Sequence, residues 1–276
     1  MKSKEGLFKL WVYLSGLLTI LITASIFLYI LLKGYPIITP EFIFGSPQGM
    51  PLGTEGGIFP AIVGSLLLGL LSGFIGGLLG LCNAIYLVFY CSSKWKCELI
   101  MDTLQALAGI PSIVLGLFGY SLFIIKFGIK RSLLTASLTL AIMIIPFVTL
   151  RIKKALEEIS LEQFMTSLSL GTSKSYTILH LVLPHVLGRI CTALGLGIGF
   201  AMGATAPIMF TGAVIFTDVP DHLTDSFMAL PYHLYMLANQ GISLDMAYGT
   251  AFVLVVILLV INLLCQLIYY LKGKQQ

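Results

Sequence analysis

A run without any charged side chain extends from Ile58 to Tyr90. As a helix it would measure roughly 50 Å, which is too long for one perpendicular membrane span and too short for two spans joined by a turn. The run therefore predicts a single tilted or kinked crossing. Its many glycines, including Gly64, Gly73 and Gly80, would let neighbouring helices approach closely, because membrane helices associate through packing and not through exclusion of water.

Five further apolar runs are long enough to cross a bilayer. They lie at residues 10–32, 99–125, 132–150, 186–210 and 247–271. The chain is 58% hydrophobic and only 10% charged, with a mean hydropathy of +0.99, whereas soluble domains carry about 25% charged residues. These figures exclude a soluble globular domain. They predict an all-α, polytopic transmembrane helical bundle of six spans embedded in membrane lipid.

The remaining segments divide the chain. The first apolar run is too long for the core of a signal peptide, so we expect a retained anchor. Residues 33–57 are rich in proline and glycine, which predicts an external loop. Residues 1–57 would then form an anchor span with this loop. Residues 58–271 would form the main membrane domain, with a polar loop at 151–185.

The distribution of basic residues predicts the orientation. Six spans place both termini on one side, and twelve of the 16 Lys and Arg residues fall on that side. Cytoplasmic loops carry the excess of Lys and Arg in membrane proteins. Both termini and the 151–185 loop are therefore expected in the cytoplasm of a multi-pass cell-membrane protein. The net charge of +4 reflects this topology and does not indicate a nucleic-acid partner.

Isolated polar residues near the spans give weaker signals. Asp102 lies near the start of the third run, and we expect an interfacial salt bridge with the loop that carries Lys94 and Lys96. The five cysteines have neither the spacing of a zinc site nor that of a disulfide framework. They are expected to be small buried hydrophobic residues.

The polar stretch at 160–184 is patterned as helix, turn and helix. Ser160 and Gln163 match a capping box, and Gly171 would end the first helix. Thr172 or Ser173 could cap a second helix running toward Leu181, and Pro184 suits the first turn of a third. One apolar stripe follows the first helix at positions i, i+3, i+4 and i+7: Leu161, Phe164, Met165 and Leu168. Such a stripe fits a groove on a partner protein, or alternatively rests on the membrane surface or on neighbouring helices.

Enzyme signatures are absent from the sequence. No G-x-x-x-x-G-K-[ST] loop, no H-E-x-x-H motif and no pair of carboxylates within one span occurs. We therefore predict that the chain is not an enzyme and has no catalytic residues, bound metal or cofactor. Any ATP that drives it would be hydrolysed on a separate subunit.

The spacing from Gly171 to Leu181-Val182-Leu183-Pro184 resembles the cytoplasmic EAA loop of type I ABC importer permeases, which reads Glu-Ala-Ala, three residues, Gly, nine residues, Ile-x-Leu-Pro. The Glu-Ala-Ala positions are Met165-Thr166-Ser167 in this chain. The resemblance implies that Leu161, Phe164, Met165, Leu168 and Gly171 couple the permease to its ATPase.

Other segments resemble the phosphate-specific PstA family of these permeases. They are 56–64 (GGIFPAIVG), 109–117 (GIPSIVLGL), 203–207 (GATAP) and 230–235 (LPYHLY). The family usually has Arg at position 200 and Glu at position 204, four residues apart on one helix face. This chain has Phe200 and Ala204, so it lacks both members of that intramembrane pair.

The resemblance implies one half of the membrane channel of an ATP-driven importer, for inorganic phosphate delivered by an external binding protein. Its partners would be a second permease (PstC-like), two ATPase subunits (PstB-like) and an external phosphate-binding protein (PstS-like). Ser112 after Pro111 and Thr205 before Pro207 would contact the anion near breaks in helices, although such hydroxyls often bond their own backbone. The alternatives are a permease for another oxyanion or small solute, or a secondary transporter.

Overall fold

A computed structural model describes residues 2–159 and 161–273, with the side chains of residues 5, 6, 8–159 and 164–271. The described part is mainly helical, as follows: α1 (Lys2–Gly34), α2 (Pro40–Phe44), α3 (Phe59–Ile85), α4 (Lys94–Ala108), α5 (Ser112–Gly119), α6 (Leu133–Glu157), α7 (Leu161–Ser169), α8 (Lys174–Thr177), α9 (Leu183–Gly203), α10 (Ala206–Thr211), α11 (Leu230–Asn239) and α12 (Leu244–Gly273). Two short strands, β1 (Pro47–Gln48) and β2 (Glu55–Gly56), pair antiparallel in the segment predicted to be a loop.

Five helices are long and apolar enough to cross a membrane, which confirms the predicted all-α polytopic class. They are Phe8–Ile37, Phe59–Tyr90, Leu133–Glu157, Lys174–Gly203 and Leu244–Leu271. The uncharged run from Ile58 forms one continuous helix, with a π-helical turn at Tyr86–Tyr90. The predicted single crossing in this region is therefore confirmed.

The third predicted span is broken in its middle. Helices α4 and α5 meet at a 100° bend, so the span predicted at 99–125 is not one continuous helix. Pro111 explains the break, because proline has no N–H to donate and disfavours the helical conformation of Ile110 before it. The helix restarts when Val114 and Leu115 donate their N–H groups to the Pro111 carbonyl, at 2.9 and 3.2 Å. The pair makes a sixth span only as two angled halves.

The fifth predicted span begins earlier and ends earlier than expected. The helix runs continuously from Lys174 to Gly203 through a π-helical turn at Ile178–Val182. That turn immediately precedes Pro184, whose missing N–H it accommodates. Pro184 lies in the first turn of α9, as predicted. The second and third helices are joined through the π-helical turn, however, and are not separated by a break. Beyond the break at 204–205 the chain forms α10, and α11 lies in the region predicted to be a loop.

Glycines bring α3 into contact with α6 and α9, as the sequence predicts. A Cβ atom on Gly76 would lie 2.6 Å from the Cγ1 of Ile144, and one on Gly73 would lie 2.4 Å from the Cγ1 of Ile198. Distances this short mean that a methyl group would not fit without movement of the neighbouring helix. The three helices thus form the centre of the bundle, while α1 lies at its periphery.

A second set of contacts attaches α11 to the start of α3. Met228, just before α11, places its carbonyl oxygen 2.1 Å from where a Cβ atom on Gly64 would lie. The N–H of Leu230 donates to the buried hydroxyl of Ser65 at 2.7 Å. These contacts fix the start of α11 although no membrane-length run predicted a helix there.

The structure corrects two expectations about polar residues. Cys91 and Cys97 form a disulfide across the start of α4, and Cys82 is exposed, so these cysteines are not buried hydrophobic residues. Within the described chain, Asp102 is exposed and makes no salt bridge. Lys94 instead approaches Glu98 one turn along α4, with 3.9 Å between Nζ and Oε1, because residues four apart share a helix face.

Candidate functional site

The patterned stretch folds as the sequence predicts around its glycine. Gly171 has a φ angle of +82°, a conformation that residues with a Cβ atom rarely adopt, and it separates α7 from α8. The hydroxyl of Ser173 accepts a hydrogen bond from the N–H of Tyr176 at 3.3 Å and so caps α8. Ser160 and the side chains of Leu161 and Gln163 lie outside the described residues.

Three hydroxyl groups close this turn from the inside. Ser167, Thr172 and Thr177 lie within 2.9 to 3.1 Å of one another, and Thr172 also donates to the carbonyl of Ser167 at 2.7 Å. The three residues belong to α7, the turn and α8, so the hydrogen bonds fix the angle between the two helices. Here Ser167 occupies the last position of the Glu-Ala-Ala pattern.

The end of α3 holds this unit from the other side. The rings of Phe89 and Phe164 lie 5.0 Å apart, and the Lys174 ammonium sits 4.8 Å from the centre of the Tyr90 ring. Lys174 also donates to the carbonyl of Phe89, and the hydroxyl groups of Tyr90 and Ser175 are 3.2 Å apart. We call residues 161–182 the coupling unit, after the role that the resemblance implies. A displacement of this unit would act directly on a helix at the centre of the bundle.

Only part of the predicted apolar stripe is exposed. Phe164 has 8% of its surface exposed and Leu168 is half-buried against the same core, whereas Met165 is 57% and Leu170 is 80% exposed. Phe164 and Leu168 therefore rest on neighbouring helices of the same chain, which is the alternative that the sequence left open, because Phe164 has an aromatic partner in Phe89. Among the side chains that the structure describes, the outward apolar surface here consists of Met165 on α7 and Leu170 just after it.

A second feature lies between the broken helices. A cavity of about 510 Å³ brings together both residues that the sequence suggested for the substrate path, Ser112 and Thr205. Met143, Gly199, Phe200, Gly203, Ala204 and Ala206 complete its lining. The lining residues carry no charged side chain, and they come from α5, α6, α9 and the break before α10.

Close backbone contacts bring these two hydroxyl groups to the same cavity. A Cβ atom on Gly116 would lie 2.8 Å from the Cα of Pro207, and one on Gly119 would lie 2.2 Å from the Oγ1 of Thr139 on α6. Glycine at both positions therefore lets α5 pack directly against α10 and α6. Ser112 lies one turn before Gly116, and Thr205 lies two residues before Pro207.

Neither hydroxyl group is used by the protein itself within the described residues, where no hydrogen bond involves the side chain of Ser112 or Thr205. By contrast, Thr211 and Thr139 donate to carbonyl groups of their own helices, at 2.8 and 2.9 Å. No side chain caps the start of α5. The first N–H groups of this helix are therefore left without a side-chain partner at the end that carries Ser112. Both hydroxyls can thus bind a ligand.

The position where the resembling family has Arg carries an aromatic pair here. Phe200 stacks on Phe147 of α6 with 6.0 Å between ring centres and 19° between planes. The Arg151 guanidinium lies 4.7 Å from the centre of the Phe147 ring, on the next turn of α6. The sequence did not predict this stack of Phe200, Phe147 and Arg151, because it joins two helices that are distant in the chain. The one available signal was the spacing of Phe147 and Arg151 by four residues.

A buried histidine near α11 lies away from the cavity. His233 has 2% of its surface exposed, and its Nδ1 atom has no hydrogen-bond partner in the described chain. Burial lowers its pKa from 6.5 to about 4, although a hydrogen bond with the backbone of Ile215 acts in the opposite direction. The ring is therefore neutral at pH 7 and packs edge-on against Phe216, with 5.9 Å between ring centres.

Broken helices around a central cavity, with a helix–turn–helix unit at one end, define a membrane transport permease. The chain belongs to the family described as binding-protein-dependent transport system inner membrane component, whose model matches residues 76–274. It is the membrane permease subunit of an ABC importer.

Two relatives carry names that state a substrate. The chain is 28% identical over 226 residues to the phosphate transport system permease protein PstA 2 of Mycobacterium tuberculosis, with 81% of this chain and 75% of the relative covered. It is 29% identical over 261 residues to a Methanocaldococcus jannaschii protein named "Probable phosphate transport system permease protein PstA", with 92% and 90% covered.

Two solved structures share the fold at low sequence identity. A chain of the MetNI methionine ABC transporter in an inward-facing conformation matches with a TM-score of 0.64 at 16% identity, covering 77% of this chain and 94% of that one. A chain of the bacterial alginate ABC transporter, in complex with its pentasaccharide-bound periplasmic protein, matches with a TM-score of 0.65 at 17% identity, and 92% of each chain is covered.

Proposed function

We propose that this permease carries inorganic phosphate across the cell membrane, delivered by an external phosphate-binding protein (PstS-like) and driven by two ATPase subunits (PstB-like). A second, related permease (PstC-like) would complete the channel. The observation that carries the proposal is the convergence of two helix breaks on one cavity, each break bearing a hydroxyl group without a partner among the described residues. The names of the relatives support phosphate as the substrate.

The cavity fits an oxyanion through hydrogen bonds in place of a fixed cation. Ser112 and Thr205 each offer an O–H donor, and the start of α5 adds backbone N–H groups and the positive end of a helix dipole. Phe200 and Ala204 remove the Arg and Glu of the resembling family together, so no single charge is left without its partner. Weak binding by neutral donors suits a transport path, because a transported ion has to leave the site again.

The coupling unit would receive the mechanical work. We place both termini and residues 151–185 in the cytoplasm, where ATPase closure would press on α7 and move α3 through Phe89 and Tyr90. ATP shifts the transporter only through a different affinity for its outward-open and inward-open arrangements. The coupling residues proposed from the sequence are Leu161, Phe164, Met165, Leu168 and Gly171. Because Phe164 is buried and Met165 is exposed, Phe164 would transmit force to the bundle and Met165 would contact the ATPase.

Uptake of radiolabelled phosphate tests the substrate. A strain that depends on this transporter should take up phosphate, with sulfate and molybdate as poor competitors. Loss of one hydrogen bond costs about 1 kcal/mol. Ser112→Ala combined with Thr205→Val should therefore raise the KM for uptake by roughly tenfold or more. Thr103→Val is the matched control, because that hydroxyl group already donates to the Leu99 carbonyl at 2.7 Å. Equal uptake by the double variant and the control would refute the assignment of this cavity.

Co-purification tests the coupling surface. Met165→Asp should release the ATPase from the purified complex, because it places a charge on the outward face of α7. Leu52→Asp is a matched control on a distant exposed loop. A cysteine at position 165 should also react with a membrane-impermeant maleimide only after the cells are permeabilised. Labelling in intact cells would contradict the cytoplasmic orientation.

A further inference from the structure

A second cavity, of about 350 Å³, opens where α6, α9 and α12 converge near the coupling unit. Its polar lining consists of Arg151, Lys154, Glu158, Arg189, Thr192 and Tyr269, and Ala155 and Ala193 form its base. Glycine at position 188 allows this convergence, since a Cβ atom there would lie 3.0 Å from the Cα of Tyr269. We call this cavity the basic pocket.

Positive charge exceeds negative charge in the basic pocket. Three cations, Arg151, Lys154 and Arg189, face one carboxylate, Glu158, which forms an ion pair with Arg189. The neighbouring carboxylate of Glu157 is occupied by Lys153, with 2.6 Å between Nζ and Oε1. Arg151 and Lys154 make no salt bridge within the described residues, so their N–H donors remain available to an anion. Guanidinium and ammonium groups are the side chains that bind phosphate oxygens most readily.

The basic pocket and the cavity of Ser112 and Thr205 lie along one face of α6. Met143, Phe147 and Arg151 follow one another at intervals of four residues on α6, and therefore lie along one helix face. Met143 lines the cavity and Arg151 lines the basic pocket. The stacked rings of Phe147 and Phe200 separate the two spaces.

The pocket also lies at the depth of lipid headgroups. Tyr269 comes from the last turns of the final apolar helix, where aromatic residues mark the boundary between hydrocarbon and water. Basic pockets between membrane helices at this depth bind anionic headgroups. One chemistry, a phosphate group with at least one negative charge, therefore fits the pocket from either of two sources.

We propose that Arg151, Lys154 and Arg189 form a phosphate-binding site in the basic pocket, which takes either inorganic phosphate leaving the transport cavity or the headgroup of an anionic phospholipid. The first source rests on the proposed function, whereas the second does not depend on it. Tyr269 supplies a hydroxyl group beside the cations, whereas the Thr192 hydroxyl donates to the Arg189 carbonyl at 2.9 Å. The separating aromatic pair makes this site distinct from the one at Ser112 and Thr205.

Binding of two probes to the whole transporter complex tests this site. The complex is purified without its external binding protein and placed in nanodiscs of phosphatidylcholine, and binding of radiolabelled inorganic phosphate is measured. Separately, native mass spectrometry counts phosphatidylglycerol molecules retained against phosphatidylcholine. Each surface cation contributes about fivefold to the binding of an anionic phosphate group. The double variant Arg151→Gln with Lys154→Gln should therefore weaken one of the two probes by roughly 25-fold.

Two controls keep the result interpretable. Lys94→Gln with Lys96→Gln removes the same charge outside the pocket and should leave both probes within about twofold of wild type. Arg151→Lys with Lys154→Arg keeps the charge and should retain binding, which separates loss of the site from misfolding.

Each outcome decides the proposal. If the pocket variant loses binding of inorganic phosphate, the occupant is the transported anion. If it loses binding of phosphatidylglycerol, the occupant is the lipid headgroup. Wild-type binding of both probes by the pocket variant overturns the site. Phosphate uptake by the wild-type complex is scored separately, so that failure of the pocket and failure of the transport function are distinguishable.

Discussion

Replacement of Phe164 by alanine should detach the coupling unit without unfolding the bundle. Its ring is nine-tenths buried and lies 5.0 Å from the ring of Phe89. Truncation of a buried phenylalanine costs about 3–5 kcal/mol. Helix α7 spans nine residues, too few to be stable without tertiary contacts. The loss should therefore appear as local opening of residues 161–173 and not as global unfolding.

Hydrogen exchange measured by mass spectrometry on the purified complex provides the assay. Because each 1.4 kcal/mol is a factor of ten, protection of peptides from 161–173 should fall by about 100-fold or more, while peptides from α3 and α6 remain protected. Met165→Ala is the matched control on the exposed face of the same helix, and its effect should stay within about 0.5 kcal/mol. Unchanged protection in Phe164→Ala would refute the inference that this side chain anchors α7.

Three further perturbations follow from the packing. Gly64→Ala should destabilise the transporter strongly, because the added methyl group would lie 2.1 Å from the Met228 carbonyl oxygen. In the control Gly16→Ala, the methyl group meets no atom within 4 Å. The melting temperature should therefore fall in the first variant and not in the second. His233 binds a proton more weakly in the folded protein than in the unfolded chain, so stability is lost as the pH falls from 6.5, and the loss reaches about 3 kcal/mol at about pH 4. His233→Gln should therefore flatten the fall in melting temperature over this pH range, and an unchanged profile would contradict the role of this histidine. Phe200→Arg and Ala204→Glu should each lower thermal stability, because each places an unpaired charge at the cavity. The double variant should be more stable, by at least about 1 kcal/mol, than the sum of the two single effects predicts. If the two losses of stability simply add, the charges do not pair across the helix turn.

Local rules predicted those parts of the fold that depend only on nearby residues. The uncharged run from Ile58 to Tyr90 forms one helix because its length and composition leave no alternative in a bilayer. Gly171 ends α7 because only glycine adopts its backbone conformation easily. Pro111 and Pro207 marked the breaks where Ser112 and Thr205 lie, since proline interrupts helices by its own covalent structure.

Tertiary contacts decided what these local signals could not. The 3.6-residue period placed Phe164 and Met165 on one stripe, but the ring of Phe89 draws Phe164 into the core and leaves Met165 exposed. The bond between Cys91 and Cys97 likewise depends on the path of the chain between α3 and α4.

The same division holds for the site. The sequence by itself named Ser112 and Thr205, but nothing in it gave the distance between two breaks so far apart in the chain. Gly116 brings them to one cavity by allowing α5 to touch Pro207, a contact between helices that no single helix specifies. The sequence determined the breaks at Pro111 and Pro207 and the turn at Gly171, because those events depend on residues within a turn or two. Which side chains meet across the bundle was decided only by packing, because a methyl group more or less sets how closely two helices approach.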